Sequence, residues 1–568
     1  MQEYGTRFSR NAYRLGIYGA LISGAVMFSI PFVYMISTSL KEDDEQVQKD
    51  VVWVPRLPPS CPQSPYIDSR SGTALTKPDG VKPEAWSSVE ALIAPALAPV
   101  VNAVPADQFG TTPEAAGRAL LTAALWQDIA GKIPDDKFTA AALPAEIARF
   151  ADPDQVDKSL TRIFRAIDIG TVSLRAAGES GVLLRVGANI PGATDPVDAN
   201  WVISEAVEAA TLSRRTQKGR IDTELHYDFK EAGGFIGMET ELPFENTATL
   251  KTFSLRLKGD ASWNRLWTVL EVDGKRYESK TPYLLFGKRY GEVFFQLPSP
   301  DDDNDLLIRD WITTREVPGK FNTKGRVYLT VMVENTSGWT KTWDKFTYNY
   351  WQALHYIPFW RYVLTSLFLV CINIFLSIFS SSLVAYAFAR LNWPGRNYCW
   401  ALLLATVMIP GQVTLIPTFL IIKWLGWFNT LKPLWVGHAF GSVFFIFMLR
   451  EFMKGIPKDL EDAAKIDGCN YWQIYWNVIL PLVRPTLAAI GIFTFMGTWN
   501  DFMGPLMFLS DQSKYPLSLG LFAFQTVAGG NQGMLMAASL LMTLPVIALF
   551  FVAQRHFIQG LAFSGIKG

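Results

Sequence analysis

Long apolar runs fall at two places in the chain, one at residues 15–36 and five more at 363–389, 398–422, 434–449, 485–509 and 533–553. Most reach the ~20 residues a helix needs to cross a bilayer core. The run at 434–449 is shorter and gains length by extension through Phe452. The pattern predicts six membrane helices. The first run is too long for a secretory leader, and Ser37-Thr38-Ser39-Leu40-Lys41 offers no small-residue cleavage site.

Between the first run and the rest the pattern turns polar. Residues 84–167 are rich in Ala, Leu and charge, and Thr112-Pro113-Glu114 reads as a helix start. Further helical stretches are predicted over 140–150 and 154–167. After residue 169 the period becomes two. Phe253, Leu255 and Leu257 alternate with polar neighbours, and so do Val293, Phe295 and Leu297, and Val327, Leu329, Val331 and Val333. Such alternation signals half-buried strands and predicts an antiparallel β-sandwich, with a jelly roll as one form. Val272-Asp273-Gly274-Lys275 predicts a hairpin, because Asp-Gly suits a type I′ turn. The expected organisation is a first segment and span at 1–60, a mainly helical insert at 61–167, a sandwich-like insert at 168–345, and a five-helix core at 346–568.

Charge fixes an expected orientation. Arg7, Arg10, Arg14, Arg390, Arg396, Arg450, Lys454, Lys458, Lys465, Arg484, Arg555 and Lys567 all fall on one side of a six-span chain. By the positive-inside rule that side is cytoplasmic, both termini with it. Lys423 and Lys432 fall on the other side and are outnumbered. The segment 41–359 is then extracytoplasmic. The chain balances 52 basic against 52 acidic residues, which gives no sign of a nucleic-acid partner. Cys61, Cys371, Cys399 and Cys469 form no CxxC pair, and His226, His355, His438 and His556 show no metal spacing, so no metal or other cofactor is expected.

Candidate chemistry in the insert is sparse. Trp263, Trp267, Trp311, Trp339 and Trp343 are of the type that stacks on sugar rings, or that fills a core or rim. Asp301-Asp302-Asp303-Asn304-Asp305 offers oxygen ligands for calcium but lacks the glycine and terminal glutamate of an EF-hand loop. A solvated loop is its other reading.

The loop between the fourth and fifth runs is more specific. It reads Gly455-Ile456-Pro457-Lys458-Asp459-Leu460-Glu461-Asp462-Ala463-Ala464-Lys465-Ile466-Asp467-Gly468, then Val478-Ile479-Leu480-Pro481. Pro457 and the acids suit a helix N-terminus. Ala463-Ala464 leaves a small surface that another protein can approach, and Gly468 allows the left-handed turn that ends a helix. A short helix, a sharp elbow and a second helix follow.

This segment resembles the EAA loop of binding-protein-dependent ABC importer permeases, which is Glu-Ala-Ala, three residues, Gly, nine residues, then Ile-x-Leu-Pro. The spacing matches at each step, with Asp462 in place of the first Glu and Val478 in place of the Ile. Met408-Ile409-Pro410, Ile416-Pro417, Leu425-Gly426-Trp427-Phe428-Asn429-Thr430, Gly497-Thr498-Trp499-Asn500-Asp501-Phe502 and the tail from Gly560 are similar to the carbohydrate permeases, of the maltose-type second-subunit kind. The resemblance covers about 1–57 and 346–568. It implies a six-helix permease fold in the cell (inner) membrane, carrying an α plus β-sandwich domain in its first external loop. It also implies a sugar substrate, a solute-binding protein, a second permease subunit and a separate ATPase that docks on Glu461, Asp462, Ala463, Ala464, Asp467 and Gly468. The chain has no phosphate-binding loop of its own. Gly-Lys at Gly131, Gly274, Gly287 and Gly319 is never followed by Ser or Thr.

Asn500 and Asp501 lie deep in the fifth run, where ionisable groups usually face a protein interior or a water-filled path. They are the candidates for the translocation path, with Gln412 as a third. Capping of a helix break before Pro505 is the other reading. Two other functions compete. A membrane-anchored receptor or sensor explains the insert but not the loop motif. A tethered glycan enzyme would need a carboxylate pair among residues such as Glu239, Glu241 and Asp260.

Overall fold

The computed structural model describes the chain except residues 1, 47–51, 69–71, 79, 111, 177–181, 187–199, 207–208, 218–219, 243–249, 288–289, 299–310, 322, 324–325, 528–530 and 563–568. The acidic run at 301–305 lies outside the described residues. Two compact units are present, one of Met1–Pro55 and Phe346–Gly568, the other of Arg56–Asp303 and Asp310–Lys345.

Among the described residues of the first unit, four helical segments are long and apolar enough to cross a membrane: Gly16–Ser39, Phe359–Arg390, Pro433–Lys454 and Gln532–Val552. Two further apolar stretches are bent pairs. Arg396–Thr406 and Gly411–Trp424 meet at 98°, and Tyr471–Leu482 and Arg484–Trp499 at 76°. The run at 398–422 is therefore not a single straight helix, and the second bend falls just before the run at 485–509. Proline is the physical reason. Pro410 is extended at the start of Gly411–Trp424, and a proline disfavours helix in the residue before it. Pro485 sits in the first turn of Arg484–Trp499, where its missing N–H costs nothing. That helix ends at Trp499, and a short helix, Met503–Phe508, follows the break.

Phe359–Arg390 is the central helix and packs on both Val443–Lys454 and Arg484–Trp499. The C-terminal end of the first long apolar helix is tied to the helix that precedes the central one. Asn349 Nδ2 donates to the carbonyls of Ser39 at 2.8 Å and Lys41 at 2.9 Å. Ser39 Oγ lies 2.8 Å from Tyr350 Oη.

The second unit has a helical part and a large β-rich part. The helices Pro83–Asn102, Glu114–Ile129, Leu143–Phe150 and Pro153–Ile163 close a core around Ile93, Leu97, Leu121, Trp126 and Ile147. Asp152 caps the last of them by accepting from Gln155 N at 2.6 Å. The period change falls at Ile167, where the first long strand begins.

Apart from the short pair Tyr66–Ile67 with Phe164–Arg165, the strands form one sheet, in which Val182–Val186 and Tyr283–Leu284 branch from the main path. Its order is Val202–Ala206, Phe235–Leu242, Val327–Glu334, Arg265–Val272, Lys275–Ser279, Trp311–Val317, Gly291–Gln296, Leu250–Lys258, Ile167–Ala176, Arg220–Asp228, Ala209–Gln217. Neighbours are antiparallel except Gly291–Gln296 with Trp311–Val317, which are parallel. Strands from both sides of that step contribute to one core, including Leu174, Phe253, Phe295, Met238, Leu270 and Val331. The hairpin forms as its turn chemistry requires. Val272 pairs with Lys275, and Asp273 and Gly274 have φ of 51° and 73°, the positive values a type I′ turn needs.

Candidate functional site: an elbow and a polar cavity

The elbow begins with the helix Asp459–Ile466, whose first turn carries Asp459, Glu461 and Asp462. Acids there complement the partial positive charge of a helix N-terminus. The helix closes in a Schellman turn. Cys469 N donates to Ala464 O at 2.9 Å and Gly468 N to Lys465 O at 3.0 Å, while Gly468 has φ of 82°. A Cβ on Gly468 would meet nothing within 4 Å, so the backbone angle, not space, demands glycine. Asn470 and Gln473 then form a capping box that starts the next helix at Tyr471. A wide turn at Tyr475–Ile479 carries that helix to Leu482 and the bend.

The six candidate docking residues divide. Asp462, Ala463, Asp467 and Gly468 are exposed. Glu461 and Ala464 are buried, Ala464 in a core shared with Tyr386, Leu449 and Ile474. The Glu461 carboxylate lies 2.9 Å from Arg390 Nε, and both side chains are nearly sealed from solvent. Arg390 Nη2 also donates to the carbonyls of Ile456 at 2.7 Å and of Met453. Arg390 therefore holds three pieces together: the end of the central helix, the end of Val443–Lys454 and the elbow helix. Two more contacts reinforce the joint, Tyr386 Oη to Tyr471 O at 3.1 Å and Ser382 Oγ to Tyr475 Oη at 2.8 Å. Asp462 instead pairs on the surface with Lys465 at 2.8 Å, which lowers its pKa. The sequence reading missed the apolar side chains around it. Ile466 is 87% exposed, and Leu460, Tyr471, Trp472 and Trp476 are exposed too. Exposed apolar side chains of this kind mark surfaces that meet a partner or a membrane.

A cavity of about 310 Å³ opens in the same unit, lined among others by Asn373, His438, Thr494, Thr498 and Asp501. Asp501 meets the helix-capping reading and also borders the cavity. Its Oδ1 accepts from Gly504 N at 3.1 Å and so caps Met503–Phe508, and its side chain also lines the cavity. Asn500 is exposed and donates to Met496 O at 2.9 Å within its own helix. Gln412 is exposed on Gly411–Trp424. Neither is among the cavity's lining residues.

In the other unit, Trp263 is a core residue, and Trp267 Nε1 donates to Glu334 at 2.9 Å. Trp311, Trp339 and Trp343 are exposed. Asp260 is buried and takes the Tyr227 hydroxyl, and Glu241 pairs with Arg326. Asp260 is thereby a buried structural group, while Glu241 sits in a solvent-exposed ion pair. A denser charged cluster was not anticipated. Asp168 lies 3.2 Å from Lys258, and Asp222 lies 3.2 Å from Arg256. Tyr290 Oη is 3.0 Å from a carboxylate oxygen of each acid, and its single proton serves one of them at a time. Burial, opposed by Lys258, pushes Asp168 up to about 6. Among the described residues its Oδ1 has no hydrogen-bond partner.

The family described as "Binding-protein-dependent transport system inner membrane component" matches residues 363–562. The arabinooligosaccharides transport system permease protein AraQ of Halalkalibacterium halodurans is 35% identical over 229 residues, 40% of this chain and 81% of that protein. The diacetylchitobiose uptake system permease protein DasC of Streptomyces coelicolor is 34% identical over 211 residues, 37% of this chain and 76% of that one. Among solved structures, a bacterial ABC transporter involved in the import of the acidic polysaccharide alginate aligns at 26% identity with a TM-score of 0.34, covering 37% of this chain and 79% of that chain.

Proposed function

The chain belongs to the binding-protein-dependent transport system inner membrane component family, and from that membership we propose that it carries a sugar or oligosaccharide through the membrane for an ATP-driven importer. As a permease component it is not itself an enzyme. The relatives named for arabinooligosaccharides and diacetylchitobiose support a carbohydrate substrate. A separate ATPase would supply the energy, a solute-binding protein the cargo, and a second, different permease subunit the other half of the path. On this reading the six apolar segments all span, both termini and the elbow are cytoplasmic, and the insert is extracytoplasmic. Its ladder, with one core shared across the parallel step, is best read as a sandwich.

The observation that carries the proposal is the elbow. Its motif spacing matches the family's docking loop, and the glycine of that motif sits in the left-handed turn that ends the helix. Asp462, Ala463, Asp467 and the exposed apolar side chains beside them suit docking. Glu461 and Ala464 would act from inside, by holding the elbow to the central helix. For the path, Asp501 is the favoured residue. Asn500 and Gln412 are exposed polar groups on membrane segments, which are costly against lipid and so suit a face covered by the second permease.

Purification of the tagged chain from its native membrane tests this. An ATPase subunit and a second permease are expected to come with it, and the complex should take up sugar only with ATP and a loaded binding protein. A chain that purifies without an ATPase and responds to a ligand through the insert would make it a receptor instead.

A further inference from the structure

An outer face of the insert's sheet carries an exposed indole among fixed polar groups. On Gly291–Gln296 the side chains alternate. Val293 and Phe295 enter the core, which leaves Glu292, Phe294 and Gln296 on the outer face. Strand register puts Trp311, Phe294 and Ser254 in one row, and Thr313, Gln296 and Arg175 in the next. Thr314 Oγ1 donates to Gln296 O at 2.9 Å and ties the parallel step. Trp311 is 43% exposed, and its ring lies 6.1 Å from that of Phe294, tilted by 31°. The Arg175 guanidinium sits 5.1 Å over the Phe294 ring, and its Nη2 donates to Glu292 Oε1 at 2.9 Å. Ser254 Oγ donates to the same oxygen at 2.6 Å.

These contacts hold the groups around the indole in place, so a ligand that lies on it freezes little side-chain freedom. An indole bordered by a guanidinium, a carboxylate, an amide and a hydroxyl fits few occupants. Lipid tails would cover those polar groups without bonding to them. A charged ligand finds no opposite net charge, because Arg175 and Glu292 neutralise each other. Carbohydrate fits both halves of the face. The C–H surface of a pyranose lies flat on an aromatic ring, and the hydroxyls at its edge both donate and accept. They can donate to Glu292 and Gln296 and accept from Arg175 and Thr313. The Arg175 and Glu292 side chains stay 28% and 39% exposed, so each still reaches a ligand. Neighbouring strands present these groups side by side on an open face, which suits a chain lying across it rather than one ring in a pocket.

We propose that this face of the insert binds a neutral oligosaccharide chain, with Trp311 as the stacking platform and Arg175, Glu292, Gln296 and Thr313 as the hydrogen-bonding rim. The inference takes its carbohydrate class from the transport reading. It gives the insert a role of its own, which is to hold glycan by contacts separate from those that carry sugar through the membrane.

The test titrates the full-length chain in nanodiscs, without ATP, ATPase or binding protein, against a panel of neutral oligosaccharides and their uronate counterparts. The wild-type chain is expected to bind at least one neutral member more tightly than its uronate. Trp311→Ala should weaken that binding about tenfold, the worth of a well-placed aromatic contact, with an unchanged melting temperature. Trp311→Phe keeps a ring and should recover part of the affinity. Trp339→Ala removes a different exposed indole and should bind as wild type does. Wild-type affinity in Trp311→Ala would overturn the platform. So would an equal loss in Trp339→Ala, or a wild-type chain that binds no member of the panel. If Trp311→Ala instead weakens capture of the solute-binding protein while no glycan binds, the face is a protein dock and the proposal falls. Uptake by the complete importer is measured separately. A chain that binds glycan through Trp311 but moves no sugar would overturn the transport reading and leave this one standing.

Discussion

In the membrane unit, Phe28 is 80% exposed and Phe375 is 65% exposed, while Ser377, Ser381 and Ser382 are buried. In the insert, Phe253 and Phe295 are buried, while charged side chains such as Arg315 and Arg326 are exposed. The two units apply one rule in two solvents. Water rewards the insert for hiding apolar side chains. Lipid gives no such reward to the membrane unit, so its helices meet through small and hydroxylated residues. The difference teaches where to look for function. In the insert a buried charge is a structural cost met by a partner. In the membrane unit a buried polar group has no lipid partner and must be paired within the protein.

The comparison first requires that the insert carry its own complete cores. The segment 56–345, expressed alone, is expected to be soluble and to melt in one cooperative transition. An unfolded segment would break the comparison, because its stability would then come from the membrane unit.

The next test concerns the buried ion pair that the elbow uses. Breaking such a pair typically costs about 3–5 kcal/mol, because the surviving charge stays buried. Glu461→Ala should lower thermal stability by about that amount in detergent. Arg390→Ala should cost at least as much, since the Met453 and Ile456 carbonyls also lose their donor. A wild-type melting point for Glu461→Ala would remove the clamp and return Glu461 to the docking face.

What the sequence made legible was local. Asp273-Gly274 specified its turn, and Gly468 specified the end of its helix, because both are matters of backbone angle at one residue. The Arg390–Glu461 pair was hidden because it joins residues distant in sequence, brought together only by packing of the central helix. The bend before Gly411 was signalled by Ile409-Pro410-Gly411, but the apolar run masked it. The cavity was half legible. Asp501 stood out as a charge in an apolar run, while Asn373 and Thr494 reach the cavity only through the packing of helices distant in sequence.

The insert's charges offer the matching experiment. The pKa of Asp168 is raised from 3.8 to about 6, so the folded insert holds that proton more tightly than the unfolded chain does. The stability it lends is full below about pH 4 and lost as pH rises through 6, a change on the order of 3 kcal/mol. Asp168→Asn should flatten the insert's stability between pH 4 and 7, measured by urea unfolding. An unchanged pH profile would mean that Lys258 already neutralises the cost.

The smallest energetic change addresses the central claim, that the elbow couples this chain to an ATPase. Gly468→Val forces a β-branched residue into a left-handed turn, at a cost of roughly 1–2 kcal/mol. Nothing crowds the site, so the protein should reach the membrane and assemble. The measurement is ATP hydrolysis by the reconstituted complex, stimulated by the sugar-loaded binding protein. The account predicts that stimulation falls about tenfold or more, consistent with that strain, while the amount of assembled complex holds. Full stimulation by loaded binding protein in the Gly468→Val complex would contradict it.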